Sequence, residues 1–193
     1  MRTMDTTVTV YCASARNLDS IYTTAAAELG RALAQRGIRL VTGGGATGLM
    51  GAVENGALEA GGEATGIIPE FMYENGWQHK GLSHLEIVRD MHARKSRMAA
   101  LADAVIALPG GIGTFEELLE IITWRQLGLY HGSVVIFNVN NYYAPLLSMF
   151  EQAISQGFMR PEYRNLFKVT ESVTETIAAI LAEPDNRTFP QKF

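Results

Sequence analysis

The feature that most constrains this chain is a strand, a glycine-rich turn and a helix in direct succession over residues 102–117. Residues 104–108 are an apolar run rich in β-branched side chains, which predicts a buried strand, and Pro109 with the two glycines after it ends that strand. From Gly113 onward, apolar residues recur every three or four positions, which predicts a helix. A helix that begins directly after such a turn leaves backbone N–H groups unpaired beside the positive end of its dipole. The stretch therefore predicts an anion site, and phosphate is the usual ligand of such a site.

Two side chains of the same stretch are candidates for chemistry at this anion site. Thr114 can add a hydroxyl donor to the backbone donors of the turn. Glu117 stands one turn into the helix and faces the same crevice, so we expect a carboxylate beside a phosphate cradle. Glu116 lies about 100° around the helix from Glu117, which favours a structural role as the alternative to substrate contact.

The sequence from Pro109 to Glu117, Pro-Gly-Gly-x-Gly-Thr-x-x-Glu, resembles the signature of the Lonely Guy (LOG) family. The resemblance extends over residues 8–182 and includes a Met-His-x-Arg-Lys string that ends in Arg94 and Lys95. Members of the LOG family are cytokinin-nucleotide phosphoribohydrolases that were once mislabelled lysine decarboxylases. The resemblance implies that the Arg-Lys pair lies in the substrate site. It also implies a homo-oligomer, most simply a dimer, with the site near the subunit interface.

The pair formed by Arg94 and Lys95 is also unusual in itself. Asp90 is a candidate N-cap for the helix that carries the pair, and the dipole near a helix start favours anions rather than cations. We therefore expect a substrate anion or a protein carboxylate to hold the two cations, with a solvated charged face as the alternative. By resemblance, Glu74 and Thr123 also match family positions that line the substrate.

A second glycine-rich turn follows the second predicted strand. Gly43, Gly45 and Gly48 satisfy the pattern G-x-G-x-x-G, but in a dinucleotide site that turn follows the first strand and an acidic residue ends the next one. Here Glu63 begins the next strand, so NAD binding is an alternative rather than the main interpretation. The turn resembles the second glycine-rich loop of the LOG family, which implies that Gly44 and the glycine after it wall the nucleotide site.

The turn after the first strand, residues 12–15, reads Cys-Ala-Ser-Ala, where LOG proteins usually have a Cys-Gly-Ser-Ser-like turn. Ser14 is still a candidate contact to phosphate or ribose. We interpret Cys12 as a core residue rather than a nucleophile, because thiols are often buried and no base partner is evident.

Predicted strands and helices alternate along the whole chain. Strands are expected at residues 7–12, 38–42, 63–68, 85–88, 104–108, 133–139 and 167–170. Helices are expected at residues 20–36, 142–156 and 172–182. A further helix follows the second glycine-rich turn and ends near residue 60, and two more begin at residues 91 and 113. Residues 69–82 are expected to form a loop. This alternation predicts an α/β fold, a doubly wound, Rossmann-like parallel sheet flanked by helices. We expect one nucleotide-binding domain over residues 1–193, with frayed ends at 1–6 and 185–193.

Composition excludes several classes of function. A net charge of −4 and a pI near 5.6 provide no basic face, so we expect no nucleic-acid partner. The single cysteine allows neither an intramolecular disulfide nor a cysteine zinc site, and the four histidines are scattered, so no metal site is predicted. The chain has no apolar run of 18 residues and no signal-peptide pattern at its start, from which we expect a cytoplasmic protein without a membrane partner.

A phosphate cradle, a carboxylate and a cationic pair are sufficient to cleave an N-glycosidic bond. A carboxylate can stabilise the oxocarbenium-like transition state and orient water. We assign that role to Glu117, while Arg94 holds substrate anions or favours departure of the base. The other candidate substrate-binding residues are Ser14, Gly44, Gly45, Glu74, Lys95, Gly110, Gly111, Ile112, Gly113, Thr114, Glu116 and Thr123.

By resemblance, the substrate is an N6-modified adenosine 5′-monophosphate, hydrolysed without a cofactor to the free base and ribose 5-phosphate. AMP or another purine nucleotide is an alternative substrate for the same chemistry. A nucleotide-binding module without turnover and an NAD-dependent redox enzyme are alternatives of other classes.

Overall fold

The computed structural model describes residues 6–182. The expected frayed ends therefore lie outside the described residues, apart from Thr6. The carbonyl of Thr6 accepts a hydrogen bond from the Arg39 N–H over 3.0 Å, which continues the sheet ladder by one residue. In residues 6–182, no helix combines the length and apolar character needed to cross a membrane.

Within the described part of the chain, seven strands form one sheet in which every neighbouring pair is parallel. The strands are β1 (Thr7–Tyr11), β2 (Arg39–Thr42), β3 (Ala64–Pro69), β4 (His84–Val88), β5 (Ala104–Ala107), β6 (Ser133–Phe137) and β7 (Lys168–Thr170). Their spatial order is β4-β3-β2-β1-β5-β6-β7. The predicted doubly wound parallel sheet is thus confirmed.

Among residues 6–182, seven α-helices connect and cover these strands. They are α1 (Ser20–Ala34), α2 (Gly48–Glu59), α3 (Glu70–Glu74), α4 (Met91–Leu101), α5 (Ile112–Gln126), α6 (Ala144–Ser155) and α7 (Val173–Leu181). Asp90 caps α4 by accepting the Ala93 N–H over 2.8 Å, and Ser172 caps α7 by accepting the Glu175 N–H over 3.2 Å. The predicted Asp90 cap is confirmed. In both helices the side-chain oxygen satisfies an N–H that has no partner within its helix.

The core lies on both faces of the sheet. Every residue of β1, β5 and β6 is buried, as expected for central parallel strands covered on both sides. Because successive side chains of a strand point to opposite faces, Ile106 packs with Val8 and Leu29 on the α1 side. Val105, its neighbour in β5, packs with Leu118 on the α5 side.

Two segments differ from the sequence-based expectation. Residues 69–82 are not wholly a loop, because they contain α3, whose five residues are too few to give a periodic pattern. Helix α6 begins at Ala144 rather than at residue 142. Residues 139–141 form a separate 3₁₀ turn in which Asn140 has a φ of 50°, outside the helical range.

The strand order reverses between β1 and β5. From β1 the chain winds outward to β4, then returns to the other side of β1 and winds outward again to β7. Ligands of open α/β sheets bind at the carboxyl ends of the strands at such a switch point. The turns after β1 and β5 meet there, and the Ala13 N–H donates to the Pro109 carbonyl over 3.1 Å.

Candidate active site

Three turns surround the crevice at the switch point: residues 12–15, the second glycine-rich turn at 43–47, and the Pro-Gly-Gly turn at 109–111. The Ala13 carbonyl accepts the Met50 N–H over 3.1 Å. The Thr47 hydroxyl donates to the Ser14 carbonyl over 2.6 Å. Ser14 is exposed at the rim, so its side chain is accessible to a ligand.

Helix α5 opens directly from the Pro-Gly-Gly turn. Its first residue is Ile112, one position before the expected start, and the N-cap Gly111 has no side chain to satisfy the helix donors. The N–H groups of the first turn therefore lack partners within the helix. Residues 111–113 are exposed and no acidic side chain lies in the first turn. The helix end can accept an anion, as the sequence predicts.

Two adjacent tyrosines, which sequence reasoning missed, hold the Pro-Gly-Gly turn from behind. The Tyr142 hydroxyl donates to the Gly110 carbonyl over 2.5 Å, and the Tyr143 hydroxyl donates to the Leu108 carbonyl over 2.7 Å. In a trans peptide the C=O and the N–H point in opposite directions. The bond to the Gly110 carbonyl thus aims the Gly111 N–H away from Tyr142. The paired aromatics after β6 were the available sequence signal.

Thr114 packs against the turn rather than standing free in the crevice. Its side chain is 4% exposed. A Cβ added to Gly110 would lie 2.1 Å from the Thr114 hydroxyl oxygen, so only glycine leaves room for this contact. The hydroxyl is therefore fixed beside the backbone donors of the turn.

Glu117 combines partial burial with a perturbed pKa. Burial is the main cause that raises the pKa of Glu117 to about 7, and the neighbouring Glu116 carboxylate adds to the rise. The Arg94 guanidinium opposes this shift. A carboxyl with a pKa near neutrality can both carry charge and exchange a proton at physiological pH, which is typical of functional sites.

Arg94 is held by backbone carbonyls and not by an acid. It is 7% exposed, and its Nε donates to the Ile67 carbonyl over 3.1 Å while Nη2 donates to the Gly43 carbonyl over 3.2 Å. No carboxylate forms an ion pair with it within residues 6–182. Its Nη1 also lies 3.7 Å from the Met91 sulfur. Since a guanidinium has five N–H donors, these contacts still leave donors, and a positive charge without a carboxylate ion pair, close to Glu117.

Lys95, by contrast, is held by two acids of α5. Its Nζ lies 2.6 Å from Oε1 of Glu116 and 3.2 Å from Oε1 of Glu120, and these hydrogen bonds, with Glu116 first, raise the pKa of Lys95. The expectation that a carboxylate holds one of the cations is met, and Glu116 has the structural partner that its position on the helix favoured. Contact of either residue with substrate stays a prediction.

The second glycine-rich turn uses its own donors internally. The Gly44 N–H donates to the Thr42 hydroxyl oxygen over 3.0 Å, and the Gly45 N–H is 3.0 Å from the Met50 sulfur. The Gly44 carbonyl accepts the His79 N–H over 2.8 Å. These glycines thus shape the wall of the crevice, and their contact with a ligand stays a prediction.

Comparison with known proteins identifies the family. A profile of the family described as "Possible lysine decarboxylase" matches residues 50–180. The cytokinin riboside 5'-monophosphate phosphoribohydrolase of Rhodococcoides fascians is 46% identical over 174 residues, which cover 90% of this chain and 88% of that protein. The chain belongs to the LOG family. The cytokinin riboside 5'-monophosphate phosphoribohydrolase LOG of Oryza sativa subsp. japonica is 42% identical over 170 residues, which cover 88% of this chain and 70% of that protein.

The LOG fold is shared by proteins that are distant in sequence. The solved structure of the molybdenum cofactor binding protein from the phototrophic bacterium Rippkaea orientalis superposes with a TM-score of 0.70. It is 21% identical and the alignment covers 90% of this chain and 94% of that one. At this identity the similarity shows the fold alone.

Two residues assigned to the site by resemblance to LOG proteins are exposed in the structure. Glu74 ends α3 and is exposed, and among the residues described it has no hydrogen bond or ion pair to Glu117 or Arg94. Thr123 lies on the exposed face of α5, where its hydroxyl donates to the Leu119 carbonyl over 2.8 Å. Their contact with substrate stays a prediction.

Cys12 begins the first of the three turns around the crevice, but its thiol is not a nucleophile. Cys12 is buried, and burial raises the pKa of its thiol well above the usual value. It is therefore a neutral core residue, as expected from its position. Within residues 6–182, no three His, Cys, Asp or Glu side chains cluster closely enough to hold a metal ion.

Proposed function

We propose that this chain hydrolyses the N-glycosidic bond of N6-modified adenosine 5′-monophosphates, releasing the free base and ribose 5-phosphate. The observation that carries the proposal is the meeting, at one switch point, of an open helix N-terminus, a carboxyl with a pKa near 7 and an arginine without a carboxylate partner. The names of the relatives in Rhodococcoides fascians and Oryza sativa support the same reaction.

The arrangement suggests how the work is divided. The 5′-phosphate binds the N–H groups at the start of α5, assisted by the Thr114 hydroxyl and the helix dipole. The ionised Glu117 stabilises positive charge on the ribose as the bond from C1′ to the base breaks with its electron pair on the base. Glu117 also orients water for attack at C1′ and accepts a proton from it, while the free N–H groups of Arg94 bind substrate oxygens or the departing base. No cofactor takes part.

The pKa of Glu117 sets the expected pH dependence. Its carboxyl is ionised only above a raised pKa of about 7, and the reaction needs the ionised form. We therefore expect kcat/KM to rise between about pH 6 and 8, with its midpoint near pH 7. The measurement is base release across this range, with Glu151→Gln as a control that keeps the profile because Glu151 pairs with Arg164 on the surface. A flat or falling profile would remove Glu117 from the ionising step.

The test of the proposal is a comparison of substrates. Isopentenyladenosine monophosphate, AMP, GMP and CMP are each incubated with the protein and the released base is measured. Fastest cleavage of the isopentenyl nucleotide supports the proposal, and equal cleavage of AMP indicates a general purine nucleotide nucleosidase. Binding without base release indicates a nucleotide-binding module. Titration with NADH, followed by fluorescence, tests the redox alternative.

We also propose that the chain is a homodimer that uses the exposed face of α5, and that it acts in the cytoplasm. Large apolar side chains on this helix and the turn after it are exposed, with Ile112 at 87%: Ile112, Leu119, Leu127 and Leu129. Several large exposed apolar side chains on one helix favour a protein interface, and Ile112 lies at the start of the helix, beside the proposed phosphate site. A second copy of the chain would cover it. The cytoplasmic location rests on a single, buried cysteine, which requires no oxidising compartment.

A charged side chain in this face should prevent dimerisation. We expect Leu119→Glu to shift the protein to monomer, because burying a carboxylate between apolar side chains is costly. The measurement is molar mass by light scattering after gel filtration. The control is Leu181→Glu, since Leu181 is 41% exposed, close to the 40% of Leu119, but lies on α7. A wild-type monomer, or an unchanged Leu119→Glu oligomer, would contradict this interface.

A further inference from the structure

A buried carboxyl group that the proposed reaction does not use lies beneath the second glycine-rich turn. Glu54, on α2, is 0% exposed. The Thr42 hydroxyl donates to its Oε1, and the hydroxyl oxygen in turn accepts the Gly44 N–H over 3.0 Å. Oε2 of Glu54 has no hydrogen-bond partner among the described residues. A buried polar group that is left partly unsatisfied costs stability. A glutamate at this position therefore suggests a role that offsets the cost.

That chain ends at the backbone on which Arg94 rests. Gly43 lies between Thr42 and Gly44, and its carbonyl accepts the Nη2 donor of Arg94 over 3.2 Å. The fit is close, since a Cβ on Gly43 would lie 1.6 Å from Nη2. Gly44 has a φ of +73°, so the turn is held in a conformation that few residues adopt. A shift of this backbone would move the acceptor that orients the guanidinium.

We propose that Glu54 is a positioning residue for Arg94: its carboxyl, acting through the Thr42 hydroxyl, holds the backbone of Gly43 and Gly44 where the Gly43 carbonyl meets the guanidinium. The inference rests on the role of Arg94 in the proposed function. It adds a residue of α2 that touches neither substrate nor reacting atoms.

The surroundings of Glu54 make its carboxyl neutral at physiological pH. Burial raises the pKa of Glu54 to about 8, and the hydrogen bond from Thr42 only partly opposes this. The ionisable groups nearby are the neutral thiol of Cys12 and, beyond the Gly43 carbonyl, the Arg94 guanidinium. Helix α1 packs against α2 through the uncharged backbone of Ala27 and Gly30, and the ion pair between the two helices, Arg31 with Glu59, is on the surface.

The test compares variants that keep or remove each hydrogen bond. Glu54→Leu removes the acceptor and Thr42→Val removes the hydroxyl, and we expect each to lower kcat by about tenfold or more with a smaller change in KM. Glu54→Gln and Thr42→Ser keep the bonds and should stay within about threefold of wild type. The double variant with Glu54→Leu and Thr42→Val should have a rate no lower than that of either single variant, since both changes remove the same hydrogen bond.

Controls separate positioning from folding and from the proposed function. Glu59→Gln, on the exposed side of α2 where Glu59 pairs with Arg31 over 3.9 Å, should leave the rate unchanged. If Glu54→Leu does not fold by circular dichroism, Thr42→Val decides, because valine has nearly the shape of threonine. A wild-type protein that cleaves no nucleotide refutes the proposed function, and AMP affinity then replaces kcat as the readout. The Glu54 proposal is overturned if Thr42→Val matches wild type, or if Glu54→Gln loses as much as Glu54→Leu.

Discussion

The Glu117→Gln variant is expected to lose turnover by a factor on the order of 10²–10⁴ while its nucleotide affinity stays within about tenfold of wild type. Glutamine keeps the shape of the side chain and removes only the charge that meets the oxocarbenium-like ribose. Burial raises the pKa of Glu117 to about 7. In such a poorly solvated site, a charge on the carboxylate interacts strongly with charge on the substrate, so its removal should have a large effect. Single-turnover base release and calorimetric binding of the same nucleotide measure the two quantities separately.

A matched surface variant makes this result interpretable. Glu151→Gln removes an exposed carboxylate that pairs with Arg164 over 2.5 Å on the α6 side of the molecule, and its turnover should equal that of wild type. If Glu117→Gln retains more than about a tenth of the wild-type rate, the catalytic carboxylate must be sought elsewhere. Loss of binding together with turnover would instead assign Glu117 to substrate affinity.

We expect kcat/KM to be at least about 10³-fold higher for a nucleoside 5′-monophosphate than for the matching nucleoside. Charge-assisted hydrogen bonds contribute roughly 1.5–3 kcal/mol each, and the N–H groups at the start of α5 together with Thr114 offer several of them. Two or three such bonds, discounted for solvent, exceed three decades at about 1.4 kcal/mol per decade. Because the phosphate is remote from the bond that breaks, its binding energy can orient the ribose, so kcat should fall as well as affinity. The measurement compares isopentenyladenosine with its 5′-monophosphate.

Thr114→Val tests the same site from the protein side. It should reduce the preference for nucleotide over nucleoside, because valine fills the space against Gly110 but cannot donate to phosphate. Thr23→Val is the control, since the Thr23 hydroxyl lies on the surface of α1 and donates to the Ser20 carbonyl over 3.2 Å. Equal cleavage of nucleoside and nucleotide by the wild-type protein would contradict the phosphate site at residues 109–117.

Local sequence pattern was enough to predict the elements that present the site, but not the contacts that complete it. The strand, turn and helix around Gly111 are encoded in consecutive residues, so spacing alone located them to within one residue. The contacts of Arg94 join residues far apart in sequence: Ile67 is 27 positions away and Gly43 is 51. No periodicity records such pairings, because they exist only once the parallel strands are ordered side by side. The bond from Tyr142 to Gly110, 32 positions apart, was missed for the same reason.

The dipole at the start of α4 predicted an anionic partner for its two cations, and the structure shows one for Lys95 but not for Arg94. A lysine near the start of a helix does require an anion, and Lys95 has two, Glu116 and Glu120. The same argument could not tell that Arg94 would be satisfied by neutral carbonyls and keep its charge. That distinction depends on where β2 and β3 end, which is a property of the whole sheet.

The close fit of Gly43 against Arg94 has a consequence for how LOG sequences can diverge. Any side chain at position 43 would occupy the space of the guanidinium, while a shorter residue at position 94 would leave the Gly43 and Ile67 carbonyls without their donors. A substitution at either position alone would disrupt this contact, so we expect positions 43 and 94 to vary together among homologues. Homologues without glycine at position 43 are expected to lack arginine at position 94 as well, and therefore to lack this activity.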